Sequence, residues 1–319
     1  MNRRSFLQAS LAALAAPQVN AAEPFPTQNV RIVVASTPGT VMDTSARLIA
    51  RQLEPQWHQA IVALNQPGAG GAIGTDTVAK AKPDGYTLLV AHEGNLVLQP
   101  LILHKATAPR SDIRAVTNLV EIDLLLVVNR ASGIRTLNEL ISESRKRTKK
   151  LTYASAGPGT PVHLRMEILK QRAGIDLVHV PYKSTAAGLT DLIGDHVDCM
   201  LVGIGPALPH VADKLNVLAI CGPKRSPLLP NVPPLAETYP GLSFTTWFGL
   251  FAPSETPGDL VEQIARDVTG ALQVPHVRST LLEQGINPLG GTPEQLEAVV
   301  RADWDAYSAL IRSGKVNLS

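Results

Sequence analysis

Short apolar runs alternate along the chain with longer segments in which apolar residues recur every three or four positions. Val30–Ser36 is almost wholly apolar, as expected for a strand covered on both faces. After a Pro38-Gly39 turn, Asp43 is placed to cap a helix. The apolar face of that helix consists of Ala46, Ile49, Ala50 and Leu53. The unit is completed by strand Ala60–Leu64, helix Ala72–Lys82 and strand Tyr86–Ala91. This βαβαβ order predicts a parallel sheet with helices on its faces.

A second unit of the same kind lies further along the chain. Thr136 and Glu139 form a capping-box pattern at the start of a helix that we expect to reach Thr148. The unit itself comprises strands Leu151–Ser155, Leu177–Tyr182 and Val197–Val202 and helices Val162–Ala173 and Thr185–Gly194. Two extended apolar runs, Ile122–Asn129 and Phe244–Ala252, lie before and after it.

Two such units and two extended crossings predict an α/β fold with two βαβ lobes, a two-strand hinge and a cleft between the lobes. We expect residues 23–126 and 245–319 to form lobe 1 and residues 127–244 to form lobe 2. In open α/β sheets, ligands bind beyond the carboxyl ends of the strands. The loops predicted at that position are Thr37–Val41, Ala91–Asn95, Ala156–Thr160, Lys183–Thr185 and Gly203–Pro206.

The first 22 residues have the pattern of an export signal. A basic start containing Arg3-Arg4 is followed by the apolar stretch Leu11–Ala16 and by a small-residue cleavage site near Ala21 or Ala22. The paired arginines favour twin-arginine export over the Sec route. Because no later apolar run reaches the ~18 residues of a membrane span, we expect a soluble periplasmic protein. We also expect it to be a monomer.

Composition narrows the possible functions. The 29 basic and 27 acidic residues give a net charge of +2, and only 4% of residues are aromatic, which argues against nucleic-acid binding. Cys199 and Cys221 fall in predicted strands, where a disulfide and two buried thiols are both compatible with the sequence. Cysteine and histidine do not cluster at metal-binding spacing, so we expect neither a metal nor a cofactor.

Two loops at the predicted cleft have the layout of anion sites. Ser155-Ala156-Gly157-Pro158-Gly159-Thr160 brings the backbone close at the start of a helix, and Thr37-Pro38-Gly39-Thr40 repeats that layout in the first lobe. Backbone N–H groups and hydroxyls in this arrangement bind an anion without needing a cation. The pattern fits a carboxylate or a phosphate. His92 and Glu93, at the end of the third strand, are either a solvated pair or part of the pocket.

Two further motifs suggest other chemistry. Gly68–Gly74 follows a strand and opens a helix, but its G-x-G-x-x-x-G spacing and the lack of an acidic partner favour a structural turn over a dinucleotide site. Ser155 with His163 as its base would suggest a hydrolase, yet the first glycine of G-x-S-x-G and an acidic orienting residue are missing. An exported serine hydrolase using Ser155 stays an alternative, as does a periplasmic sensor for a signalling partner.

Many collinear segments match a known family. They include Asn65–Gly71, Lys82–Leu89, Leu151–Gly157, His179–Lys183, Lys224–Pro227, Trp247–Leu250 and Gly290–Gln295. In these stretches the chain resembles the extracytoplasmic receptors of tripartite tricarboxylate transporters, also called Bug or TctC-like receptors. The resemblance implies a type II periplasmic-binding-protein fold that closes over a small carboxylate. It also implies no catalysis, and docking on a small and a large membrane subunit.

The resemblance further implies a ligand held mainly by the two glycine loops. The expected binding residues are Thr37, Pro38, Gly39, Thr40, His92, Glu93, Ser155, Ala156, Gly159, Thr160, Tyr182, Ser184, Val202 and Gly203. Several of these positions depart from the usual family pattern. The departures are the loop Ala35–Thr40, the pair His92-Glu93 in place of small hydroxyl residues, Ser184 in place of glycine, and Val202-Gly203 in place of Asp-Asn. We therefore expect a ligand other than a typical dicarboxylate, with Glu93 paired to a cationic group of that ligand.

Overall fold

The computed structural model describes residues 25–102, 109–146, 148 and 150–314, so the predicted export signal lies outside the described residues. The strands are β1 (Val30–Val34), β2 (Ile61–Asn65), β3 (Thr87–His92), β4 (Ile113–Asn129), β5 (Thr152–Ser155), β6 (Val178–Pro181), β7 (Cys199–Gly203), β8 (Leu215–Ile220), β9 (Thr245–Pro253) and β10 (Ile286–Pro288). The α-helices are α1 (Val41–Trp57), α2 (Ala72–Ala79), α3 (Gln99–Ile102), α4 (Leu137–Lys146), α5 (Pro161–Ala173), α6 (Thr185–Ile193), α7 (Ile204–Ala207), α8 (Leu235–Thr238), α9 (Gly258–Gln273), α10 (Pro275–Glu283) and α11 (Pro293–Arg312). Within the described ranges, no helix combines the length and apolarity needed to cross a membrane.

The strands form a continuous ladder in the order β2-β1-β3-β9-β4-β7-β5-β6, with β8 and β10 also paired to β4. Strand β1 is parallel to β2 and β3, and β5 is parallel to β6 and β7, as the two βαβαβ patterns predict. Strand β9 is antiparallel to β3 and β4. Two parallel units are therefore joined through antiparallel strands in the middle of the sheet.

Strand β4 belongs to both halves of this sheet. Residues 113–123 pair with β9, whereas residues 124–129 pair with β7 and β8. We use lobe 1 for the part built on β1–β3, β9, β10 and residues 113–123. Lobe 2 is the part built on β5–β8 and residues 124–129. The chain thus enters lobe 2 within β4 and returns to lobe 1 between β8 and β9.

The first half of β4 was not predicted. The apolar pattern indicated a strand only over Ile122–Asn129, because Thr117 and Asn118 interrupt the apolar residues before it. Both polar residues are nevertheless buried, and Thr117 Oγ1 donates a hydrogen bond to the carbonyl of Gly291 at 2.9 Å. A buried hydroxyl with a partner is tolerated inside a sheet, so the strand continues through these residues.

Both faces of the sheet carry buried apolar side chains. In β1, Ile32 and Val34 join the cluster that includes α1, whereas Val33 joins the cluster on the opposite face. In β4, Leu126 and Leu125 alternate between the two clusters of lobe 2 in the same way. Strands covered on both faces are the reason why the sequence shows continuous apolar runs rather than alternation.

Helix α1 begins before the cap predicted from the sequence. Thr40 is its N-cap residue, with an extended backbone at φ −77° and ψ 166°. Asp43 lies in the first turn, and its Oδ2 accepts a hydrogen bond from the Gly39 amide at 2.9 Å. Asp43 therefore supports the helix start from within the helix rather than as the N-cap residue.

The two cysteines lie on opposite sides of β4. Cys199 begins β7, which pairs with one edge of β4, and Cys221 follows β8, which pairs with the other edge. Two strands that flank a third are about 9–10 Å apart, which exceeds the Cα separation of about 7 Å at which a disulfide becomes impossible. Both cysteines are free and fully buried. Burial raises the pKa of the Cys221 thiol to about 12, so this thiol is protonated at neutral pH.

We expect the purified protein to carry two free thiols that react only after unfolding. Native protein should incorporate no iodoacetamide in minutes at pH 8, because both sulfur atoms are buried and the Cys221 thiol is protonated. Protein unfolded in guanidinium without reductant should incorporate two carbamidomethyl groups, measured by intact mass. A requirement for reductant before labelling would contradict the strand arrangement around β4.

Candidate functional site

Helices α1 and α5 each begin at the carboxyl end of a parallel strand and lack a side-chain cap. Their N-cap residues, Thr40 and Thr160, have extended backbones, and neither hydroxyl accepts a hydrogen bond from the first turn. The first helical hydrogen bonds are donated by Thr44 to Thr40 at 2.9 Å and by Leu164 to Thr160 at 3.1 Å. The amides that precede them have no intrahelical acceptor, so each helix end carries a partial positive charge.

In lobe 1, the positive end of α1 already has an anionic partner. The Asp43 carboxylate accepts hydrogen bonds from the Gly39 amide and from Arg47 Nε, both at 2.9 Å. Burial by itself would raise the pKa of Asp43, but the hydrogen bond from Gly39 and the charge of Arg47 hold that pKa below its usual value. Asp43 is therefore ionised at neutral pH and partly neutralises the start of α1.

In lobe 2, the first turn of α5 contains no acidic residue. The loop before it is folded on itself. The Gly157 amide donates to Ser155 Oγ at 3.0 Å, and the Gly159 amide donates to His163 Nδ1 at 3.0 Å. These glycine amides were predicted to point at an anion, but they are used within the loop. The group left for an anion is the uncapped first turn of α5, which begins at Pro161 after the N-cap residue Thr160.

A cavity of about 300 Å³ lies between the lobes at the start of α5. Lobe 1 contributes Gly70, His92, Gly94, Asn95, Leu98, Gln99 and Ile102, and lobe 2 contributes Pro158, Gly159, Thr160 and Pro161. This is the size range of pockets that hold small ligands. We call it the interlobe cavity.

A larger cavity of about 730 Å³ lies at the amino end of β4 against α11. Its wall includes Arg110, Arg114 and Glu294, all of lobe 1. It is lined by neither the α5 terminus nor the residues at the end of β3. Since ligands of open α/β sheets bind beyond the carboxyl ends of the strands, we take the interlobe cavity as the candidate site.

The glycine loop of residues 68–71 forms one wall of the interlobe cavity. Asn95 Nδ2 donates to the carbonyl of Gly70 at 2.7 Å, and Gln99 Nε2 donates to the carbonyl of Ala69 at 2.6 Å. A Cβ atom at Gly71 would lie 2.2 Å from Asn95 Nδ2, so only glycine allows this approach. The loop therefore acts as a structural turn, as the sequence indicated, and it also contributes to the wall, which the sequence did not indicate.

Three of the expected binding residues line the interlobe cavity: His92, Gly159 and Thr160. The loop Thr37–Thr40 does not. Thr37, Pro38 and Gly39 are exposed, and Thr40 Oγ1 donates to the carbonyl of Thr37 at 3.1 Å. Ser155 is fully buried and Ala156 is half-buried, and neither belongs to the cavity wall.

The remaining expected residues serve local structure. The Tyr182 hydroxyl donates to Asp191 Oδ2 at 2.8 Å, and Ser184 caps α6 by accepting a hydrogen bond from Ala187. Val202 is fully buried in an apolar cluster of lobe 2, and Gly203 pairs with β4. Val202 is therefore inaccessible to a ligand in this conformation.

Ser155 contacts a different histidine from the one that the sequence suggested. Ser155 Oγ lies 2.6 Å from His179 Nε2, whereas His163 Nδ1 accepts a hydrogen bond from Gly159. The interpretation of His163 as a base for Ser155 is therefore wrong. The His163 and His179 rings stack with centroids 4.1 Å apart, and Tyr153 stacks on His179 at 4.9 Å. Burial and the neighbouring His179 lower the pKa of His163 to about 4, so His163 is neutral at pH 7, as its acceptor role requires.

Glu93 forms a buried ion pair that joins the two lobes. Its Oε1 lies 3.1 Å from Arg165 Nη2, and the two side chains are 0% and 3% exposed. Burial by itself would raise the pKa of Glu93, but the positive charge of Arg165 holds that pKa below its usual value. The expectation that Glu93 pairs with a cationic group of the ligand is contradicted, because Glu93 has no exposed surface and its cationic partner is Arg165.

Arg165 makes further contacts with lobe 1. Its guanidinium donates to the carbonyl of Thr245 at 2.5 Å and to Thr246 Oγ1 at 3.0 Å, both in β9. Burial opposes its charged form, but Tyr307, together with Glu93 and a nearby aspartate, raises the pKa of Arg165. Within the described structure, neither oxygen of Glu93 has hydrogen-bond geometry, so the attraction between the charges holds the pair.

Comparisons with known proteins agree over most of the chain. A family model described as "Tripartite tricarboxylate transporter family receptor" matches residues 45–316. BugT of Bordetella pertussis is 31% identical over 308 residues, which cover 94% of this chain and 93% of BugT. An adipate-bound protein of R. palustris is 30% identical, with a TM-score of 0.75 over 92% of this chain and 99% of that chain. MatC from Rhodopseudomonas palustris with bound malate is 31% identical, with a TM-score of 0.71 over 90% of this chain and 100% of that chain. The predicted type II periplasmic-binding-protein fold is confirmed.

The buried ion pair predicts a large asymmetry between single and double substitutions. Arg165→Met leaves the Glu93 carboxylate buried without its partner, so we expect the free energy of unfolding to fall by about 3–5 kcal/mol. Combining it with Glu93→Gln should restore part of that loss, because no unpaired charge then remains. Urea unfolding at pH 7, followed by circular dichroism, measures these differences.

The exposed pair Arg301–Glu297 supplies the matched control, with side chains 69% and 56% exposed. Arg301→Met should leave the free energy of unfolding close to that of wild type, because water screens an exposed pair. Because the pKa of Glu93 is lowered in the folded state, the ionised Glu93 contributes fully to the free energy of unfolding above the ordinary glutamate pKa of 4.5. It is lost as the pH falls through the lowered value. A change of less than 1 kcal/mol in Arg165→Met at pH 7 would show that the pair is not buried in solution.

Proposed function

Since the chain belongs to the tripartite tricarboxylate transporter receptor family, we propose that it is a periplasmic receptor that captures a small carboxylate between its lobes and delivers it to the membrane subunits of such a transporter. Two structurally similar proteins are described with adipate and with malate bound. Both ligands are small carboxylates, and this supports the same class of ligand for this chain.

The observation that carries this proposal is the uncapped start of α5 in the wall of the interlobe cavity. Thr160 and Pro161 line the cavity, and the first turn of α5 has neither a capping side chain nor an acidic residue. Backbone amides and the helix dipole at such a position stabilise an anion without a cationic side chain. Pro161 has no N–H, and the Thr160 amide donates to the carbonyl of Gly157. A ligand carboxylate at this point would therefore accept hydrogen bonds from the amides of Val162 and His163, which the helix itself leaves unmade.

Capture would require the two lobes to move relative to each other. We propose that the two lobes expected from the sequence, residues 23–126 with 245–319 and residues 127–244, are the moving bodies, with their boundary in β4 moved to residues 123 and 124 in keeping with the strand pairing. The crossings in β4 and before β9 would form the hinge. We also propose that the leader is removed near Ala21 or Ala22 and that the mature receptor acts as a monomer. Catalysis is not part of the proposal, because the matched family consists of receptors and Ser155 is fully buried.

A thermal-shift screen of the mature protein tests the class of ligand. Mono-, di- and tricarboxylates, inorganic phosphate, neutral sugars and amines are compared at equal concentration. A carboxylate present at 100 times its dissociation constant should stabilise the folded protein by about 2.7 kcal/mol. Stabilisation by phosphate, a sugar or an amine, with no response to any carboxylate, would overturn the proposal.

Thr160→Asp should separate binding from stability. An aspartate at the N-cap supplies an internal carboxylate to the first turn of α5, so we expect unchanged or increased thermal stability. The same carboxylate should compete with the ligand and weaken its binding at least tenfold in calorimetric titration with the acid found in the screen. Thr292→Asp is the matched control, because Thr292 is also an N-cap residue but does not line the interlobe cavity. Equal affinity in wild type and Thr160→Asp would exclude the start of α5 as the carboxylate site.

A further inference from the structure

We propose that the ligand is a monocarboxylate with an apolar body that carries one neutral hydrogen-bond acceptor, and that His92 determines this specificity by donating a hydrogen bond to that acceptor. The inference rests on the proposed function and narrows its class of ligand. It follows from what the wall of the interlobe cavity offers beyond the start of α5.

Most of the wall is apolar. Leu98 and Ile102 of lobe 1 face the cavity together with Pro158 and Pro161 of lobe 2. Among the described residues of the wall there is no lysine, arginine, aspartate or glutamate. A second ligand carboxylate placed against these side chains would lose water without gaining a cation, whereas a hydrocarbon body would gain from the same contact.

The amide side chains of the wall are already engaged with the protein. Asn95 donates to Gly70, and its Oδ1 accepts a hydrogen bond from the His92 amide at 3.2 Å. Gln99 donates to Ala69. Thr160 Oγ1 donates to the carbonyl of Gly157 at 2.8 Å, so its hydroxyl hydrogen is not directed at the ligand. These side chains therefore use their hydrogen bonds mainly to hold the wall in place, rather than to bind a ligand.

His92 differs from these side chains, because one of its two ring nitrogens is not used in a hydrogen bond to the described part of the protein. Nδ1 accepts a hydrogen bond from the Gly94 amide at 2.9 Å, so the proton of the neutral ring lies on Nε2. Within the described structure Nε2 has no hydrogen-bond partner, and the side chain is 24% exposed in the cavity wall. A neutral N–H donor suits a carbonyl or ether oxygen.

The charges around His92 do not supply a second site for an anion. Glu93 Oε2 lies 3.8 Å from His92 Nδ1, and the Glu93 charge is matched by Arg165 in the buried pair. The ring of Phe248 in β9 packs edge-on against the imidazole at 5.8 Å. A negatively charged group of the ligand at His92 would therefore approach Glu93, and the described residues of the wall include no cation to offset that repulsion.

Three six-carbon acids of matched length test the inference: hexanoate, 5-oxohexanoate and adipate. Calorimetric titration of the mature wild-type protein should give the tightest binding for 5-oxohexanoate. Hexanoate should follow, and adipate should bind at least tenfold more weakly than hexanoate. Adipate binding as tightly as hexanoate, or more tightly, would overturn the inference, because the cavity would then accept a second carboxylate.

Two substitutions at His92 separate its donor from its structural role. His92→Asn keeps an acceptor near the position of Nδ1 for the Gly94 amide but removes the donor at Nε2. We expect it to abolish the preference for 5-oxohexanoate, so that 5-oxohexanoate and hexanoate bind this variant with similar affinity. His92→Gln, which can place an amide N–H near the position of Nε2, should restore part of the preference. His58→Asn, at an exposed position after α1, is the matched control and should keep the full preference.

The outcomes distinguish this inference from the proposed function. If carboxylates bind but the 5-oxo group gives no advantage in wild type, or the advantage persists in His92→Asn, the role of His92 is refuted while the receptor function stands. If no carboxylate of any kind binds, the proposed function itself fails, and this inference fails with it.

Discussion

The ion pair between Glu93 and Arg165 limits how the two lobes can be arranged. A guanidinium and a carboxylate removed from water are stable only in each other's presence, and here they come from different lobes. A rotation that separates the lobes at this point must either hydrate both charges or leave them unpaired. Arg165 also contacts Thr245 and Thr246, where the chain returns to lobe 1. The pair therefore lies beside one of the two chain crossings, where a rotation of the lobes about those crossings would produce the smallest displacement.

The same pair connects the two walls of the interlobe cavity. Glu93 directly follows His92 at the end of β3, and Arg165 lies on α5 one turn after Pro161. Leu164, its neighbour, is fully buried in a cluster with Trp247 and other side chains of lobe 1. Charge and apolar packing on one helix thus hold the start of α5 against the end of β3. His92 and the start of α5 consequently line one cavity, although they belong to different lobes.

The continuous apolar runs of the sequence predicted the positions of most strands. The ends of these predicted strands lie within two residues of those in the structure, except in β4. The first half of β4 was missed because Thr117 obtains its partner from a distant loop. Within the site, the sequence placed His92, Gly159 and Thr160 at the cleft, and they line the cavity. It gave no sign of Arg165, because a charged residue in a helix normally faces water and only tertiary packing shows that this one is buried. The sequence also could not show that Ser155 and His163 accept hydrogen bonds from amides of the loop, since these bonds depend on side-chain rotamers.

Because β4 separates Cys199 from Cys221, it matters whether lobe 2 folds before or after the two thiols meet an oxidant. Once β4 is inserted between β7 and β8, the two sulfur atoms cannot meet, but before that step nothing keeps them apart. In a compartment that oxidises thiols, an unfolded chain could close a covalent loop that excludes the native sheet. A chain that completes its sheet under reducing conditions has both thiols shielded before it meets an oxidant. Folding of lobe 2 would therefore compete with oxidation wherever the unfolded chain meets an oxidant.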